Sequence, residues 1–168
     1  SAAVLFGSPL FYLYALKRLP DDFAWLRRLF FAAGAAVFVS CGAAVLLQAV
    51  SLGDVGSGAD IAFLCSMLSE TGFGKVLTLR LVLAAGSIAA FMALTRTPTV
   101  TLAYAETILG GALLASYAWT GHAAAGEGLA GSVHTASDAL HLLAAGVWIG
   151  ALVCLAILLR HAAIAGSV

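Results

Sequence analysis

Three of the four histidines, His122, His134 and His141, fall within the stretch TGHAAAGEGLAGSVHTASDALHLLAAGVWIG, residues Thr120 to Gly150. On a helix His134, Asp138 and His141 stand at i, i+4 and i+7, so their side chains share one narrow face. Two imidazoles and a carboxylate are thereby aimed together. Neutral imidazole binds copper, zinc or iron, and a nearby carboxylate either ligates the metal or holds a ring N–H. Three imidazoles suit Cu(II), Zn or Cu(I) at low coordination. A plainer role is open to the same residues, in which a histidine hydrogen-bonds a loop or caps a helix. Trp148 continues the stripe of Asp138, His141 and Ala145 at steps of three or four, which places its ring below the site as a floor or packing residue.

The elements that must position these groups are membrane helices. The chain is 62% hydrophobic and 10% charged over 168 residues, with a mean hydropathy of +1.06, far from the composition of a water-soluble domain. Its apolar segments have the length of about 20 residues that a helix needs to cross the hydrocarbon layer, and they lack the short alternating pattern of barrel strands. An all-α polytopic transmembrane bundle of about five spans is predicted, one domain over residues 1–168, with spans near 2–16, 26–50, 74–94, 99–120 and 134–160. Ser1 opens directly into an apolar run, which predicts that part of the first span is absent from this sequence. Lys17 and Arg18 follow that run instead of preceding it, unlike a cleavable signal. Between spans two and three, IAFLCSML in the long connection Ser51 to Phe73 predicts a short interfacial helix. It serves either as a cover packed on the bundle or as a lid over the histidines.

Charge distribution orients the bundle. Lys17, Arg18, Arg27, Arg28, Arg96 and Arg160 mark one set of ends, and only Lys75 and Arg80 lie near the other. By the positive-inside rule the first set faces the cytoplasm, so the connection Gly121 to Val133 opens to the periplasm or exterior. Eight basic residues balance eight acidic ones, so no broad field invites nucleic acid. Membrane lipid is the expected surrounding.

Ionisable groups inside a span are costly and carry functional weight. Glu106, in the fourth span with Tyr117 on the same face, could relay protons or hold a cation. It lies too near the cytoplasmic side to join the histidines in one ligand shell. Arg80 is expected to pair with a carboxylate such as Asp138, Glu127 or Glu70. His161 falls at the opposite membrane face from the histidine cluster. Three widely separated cysteines make no disulfide framework; Cys65, near Met67, is either a soft ligand for Cu(I) or a small buried apolar residue. Gly146 and Gly150 form a small-xxx-small pair suited to close helix approach.

At these residues the chain resembles the copper resistance protein D (CopD) family of bacterial inner-membrane proteins. The resemblance rests on TGHAAA at 120–125, SDALHLLAAGVWIGAL at 137–152, TGFGKVLTLRL at 71–81 and LFGSPLF at 5–11. It implies a multi-pass protein of the bacterial inner membrane associated with copper handling, often beside a periplasmic copper-binding partner of the CopC type. His122, His134 and His141 become the copper-site candidates, supported by Asp138 and Trp148. Family members usually continue with further helices, and the two Met residues here make no methionine ladder for Cu(I).

Three functions compete. The first is a copper-binding protein that accepts the ion at the periplasmic histidine cluster and transports it or passes it to a partner. The second is a membrane b-type cytochrome, since two histidines from facing helices can hold haem b, although His141 alone is deep. The third is a structural subunit of a larger membrane complex. With no Walker loop, G-x-S-x-G elbow or zinc-protease helix motif in the sequence, it is not expected to be an enzyme.

Overall fold

The computed structural model describes residues 1–16, 24–52, 61–97, 99–120 and 128–165. Its regular elements are α1 (Ala2–Phe11), continued by a π-helical turn Tyr12–Leu16, then α2 (Ala24–Leu52), α3 (Ile61–Glu70) and α4 (Gly72–Arg96). They are followed by α5 (Val100–Ala115), continued by a 3-10 turn Ser116–Thr120, and α6 (Gly128–Ala165). Among the described residues there is no strand, and the fold is an all-α helical bundle. Among the described residues four segments, Trp25–Ser51, Gly72–Arg96, Val100–Thr120 and Gly128–Arg160, are long and apolar enough to cross a membrane. The first helix, apolar over Ala2–Tyr14, is shorter.

Small residues decide how closely these helices approach. α1 lies between α5 and α6. A side chain on Gly7 would strike the Gly146 carbonyl and come within 2.8 Å of the Gly150 Cα. One on Gly110 would meet the Leu5 carbonyl at 2.8 Å. Backbone therefore touches backbone, and dispersion between closely packed surfaces replaces the hydrophobic driving force that lipid removes. The small-xxx-small pair on α6 is occupied by α1. Between α2 and α4 the contact is aromatic, with Phe30 stacked on Phe91 at 3.8 Å and 8° between planes.

α3 folds back on the start of α4. Thr71 caps α4 by accepting from the Gly74 N–H at 2.9 Å, while its hydroxyl donates to the Met67 carbonyl at 2.6 Å. Gly74 permits this, because a Cβ there would collide with the Met67 carbonyl. Met67 is buried and the polar end of the helix exposed, so this element packs on α4 as a cover.

α6 begins at Gly128, six residues before the expected start at His134. Gly128 takes a left-handed φ of 66°, which glycine adopts without steric cost, and the following LAGSV contains no helix breaker. Its 38 residues span roughly 57 Å at about 1.5 Å per residue, well beyond a hydrocarbon core of about 30 Å. His134 thus stands well inside the helix, nearly two turns from its first residue.

The ends of the bundle follow from the contacts. Tyr12 at the end of α1 lies 6.4 Å from the Trp25 ring at the start of α2, and Phe30 joins that start to the end of α4. Arg27, Arg28 and Arg96 therefore gather at one end. The 3-10 turn after α5 and the start of α6 lie at the other.

Candidate functional site

His134 and Asp138 line one open groove with Leu129, Ala130, Val133 and Ser137. The helix period sets this arrangement, since residues four apart stack on one face. His134 is exposed and Asp138 half-buried, so an imidazole and a carboxylate are available from solvent without unpacking the bundle. His141, two turns beyond His134, is also exposed but is not part of the groove lining. His122 and Glu127 lie outside the described residues, as do Lys17, Arg18, Asp54, Asp60 and the side chain of His161. Among the described residues alone, no three His, Cys, Asp or Glu side chains gather as a metal-holding group. The described part of the candidate site therefore offers a two-donor face, imidazole plus carboxylate, of the chemistry that copper, zinc or iron accepts.

Trp148 differs from its expected packing role. It is 72% exposed, because the inward positions of this part of α6 are taken by Gly146, Gly150 and Cys154. The stripe that carries the histidines continues onto the open side of the helix, and the indole goes with it.

Arg80 pairs with neither Asp138 nor Glu70, and Glu127, the third carboxylate expected for it, lies outside the described residues. Arg80 is 5% exposed, and among the described residues it is held without a carboxylate. Its Nε donates to Ser116 Oγ at 3.2 Å, and one terminal nitrogen donates to the Ser116 carbonyl at 3.0 Å and to Thr120 Oγ1 at 2.6 Å. The guanidinium lies 4.0 Å over the Tyr117 ring, a cation–π contact. The physical reason is local: at Ser116 the α-helix tightens into the 3-10 turn, which turns a carbonyl and two hydroxyls toward α4. Serine and threonine in an apolar span gave a signal for this clamp that a search for carboxylates passes over.

Glu106 is fully buried, and Ser87 donates to its Oε1 at 2.7 Å. Ser87 was missed in the sequence, although a lone serine in the middle of the apolar α4 is the natural partner for a carboxyl at similar depth on the adjacent helix. Cys65 is exposed while Met67 is buried. The thiol is therefore not a small packed residue, and the two sulfur side chains face different surroundings. Cys41 and Cys154 are buried.

Residues 1–132 match the copper resistance protein D-like N-terminal domain. Over 94 residues the chain is 37% identical to copper resistance protein D of Pseudomonas syringae pv. tomato. The aligned stretch is 56% of this chain and 30% of that protein, so the match covers about a third of the relative's length. No solved structure matches. His122 falls within the matched domain; His134, Asp138, His141 and Trp148 follow its last residue. With nearly four-fifths of the chain in that match, the protein belongs to the copper resistance protein D-like family.

Proposed function

We propose that this chain is a copper-handling membrane domain that takes the ion at its outer histidines and moves it through the bundle or passes it to a partner. The observation that carries the reading is the shared groove of His134 and Asp138 on a chain of a copper-resistance family. In this reading copper is cargo and the chain is a carrier, not an enzyme. His122 and His141 supply further imidazoles, and Asp138 ligates the ion or orients a ring N–H. The end bearing Arg27, Arg28 and Arg96 faces the cytoplasm of a bacterial inner membrane. The groove then opens to the periplasm, where a CopC-type copper-binding protein is the natural donor or acceptor.

Equilibrium dialysis of copper against detergent-purified protein and the single variants His122→Ala, His134→Ala and His141→Ala tests the site. Each variant is expected to bind at least about tenfold more weakly, in the range that loss of metal-supporting groups produces. Unchanged stoichiometry and affinity in all three would overturn the assignment. The same sample without a Soret band would remove the haem b reading. A structural-subunit reading draws on one observation, the broad apolar face of α6 that includes Leu140, Val147 and Leu152, all exposed. Copper-free protein that copurifies with a large assembly would favour it.

A further inference from the structure

Glu106 is a buried ionisable group that the histidine groove leaves unused. Its Oε2 is enclosed and has no hydrogen-bond partner among the described residues, while Oε1 has only the Ser87 hydroxyl. It sits on α5 six residues from Val100, roughly 9 Å from the end where Arg96 lies, at about 1.5 Å per residue. An enclosed carboxylate with one neutral partner is costly, so the group must meet a positive charge of its own.

Among the described residues the facing elements supply none. α1 brings Ser8 and Tyr12, whose hydroxyls are likewise buried, with Ser8 beside the Cys154 thiol. Since Leu5 and Phe6 press on Gly110 and α1 runs opposite to α5, one further turn along both brings Ser8 and Pro9 level with Glu106. Pro9 has no N–H to give to the Leu5 carbonyl, and soon after it α1 relaxes into the π-helical turn. Interrupted backbone of this kind is tolerated at membrane depth where it is enclosed by protein, and it often marks ion sites. From α6 comes buried Cys154, while buried Cys41 of α2 lies beside Arg80, away from Glu106. On α4, Arg80 is seven residues beyond Ser87 toward the outer end and is engaged by Ser116, Thr120 and Tyr117. Arg96 is nine residues away in the other direction, at the helix terminus.

A metal ion requires several donors in one shell, and the described surroundings of Glu106 present one carboxyl and one hydroxyl in contact. A proton requires a single oxygen. The geometry points to Glu106, supported by Ser87, as an intramembrane proton-binding site in the inner half of the bundle. Uptake forms an Oε2–H bond with a proton delivered by water, release returns the proton to water, and no electron moves. Ser87 keeps its hydrogen bond to Oε1 in both states and so positions the carboxyl. This inference goes beyond the copper reading and does not depend on it.

Infrared difference spectroscopy of the full chain in liposomes, without copper and across a pH series, tests it. The wild type is expected to show a protonated-carboxyl stretching band that titrates and shifts in deuterated water. Glu106→Gln, close in size and shape, should abolish that band. Ser87→Ala should move it to higher frequency by freeing the C=O from its donor, a change that a merely structural serine would not produce. A spectrum in which Glu106→Gln removes no such band, or a band that neither titrates nor shifts in deuterated water, would overturn the proposal. Copper binding by Glu106→Gln should match wild type, so loss of the histidine reading and loss of this one are told apart.

Discussion

The two faces of α6 have opposite construction. One carries Gly146, Gly150 and Cys154, all buried, with Gly7 of α1 in backbone contact. The other carries His134, His141 and Trp148, all exposed, with half-buried Asp138 between the histidines. At Gly150 the first face has no room even for a methyl group against the Gly7 backbone, whereas the second holds groups whose chemistry requires access from outside. A single helix thus separates the work of holding the bundle together from the work of meeting a ligand, and substitutions on the two faces should have unrelated consequences.

The largest effect is expected on the packed face. In Gly150→Leu the new side chain would run into the Gly7 Cα and approach Ser8 N at 2.8 Å. These are backbone atoms that cannot rotate away. Overpacking typically costs about 1 to 3 kcal/mol and occasionally more, and against fixed backbone the upper end applies, so thermal denaturation in detergent should show a strongly destabilised or unfolded protein. Near-normal stability would mean that α1 does not seat on α6 as described.

On the open face the effect should appear in binding alone. His134→Ala combined with His141→Ala should weaken copper binding by at least about tenfold with the denaturation midpoint unchanged. A large drop in the midpoint would show that the face is packed and break the comparison.

Arg80 sharpens the comparison from within the bundle. Arg80→Gln shortens the donor and removes the cation–π contact, so hydrogen bonds to Ser116 and Thr120 are lost. Buried polar contacts in membranes contribute about 0.6 to 1.7 kcal/mol each, so a loss of about 1 to 2 kcal/mol should register in chemical denaturation. Trp148→Ala should have the smallest effect, leaving the midpoint at the wild-type value in the same assay. Destabilisation would return the indole to the packing role expected from its position on the stripe.

Much of the fold was legible because membrane length and hydropathy impose it. Gly146 and Gly150 announced a close approach, and Glu106 stood out in an apolar span. The start of α6 was not legible, because residues 128–133 read as connection by composition and only the left-handed Gly128 fixes where the helix begins. The contacts of Arg80 with Ser116 and Thr120 were missed for a different reason: a carboxylate is the natural guess for a buried guanidinium. The 3-10 turn that presents a carbonyl and two hydroxyls has no sequence signature of its own. Of the candidate site, the helical register of His134 and Asp138 was readable, since the period of 3.6 residues dictates it. Which side of α6 faces the bundle depended on α1 choosing the glycine face, and this is why Trp148 lies open.

The most direct test is metal analysis of detergent-purified protein saturated with copper and then desalted, comparing wild type with the His134→Ala/His141→Ala variant. The account predicts copper retained by the folded wild type and lost from an equally folded variant. Equal copper in both would contradict it.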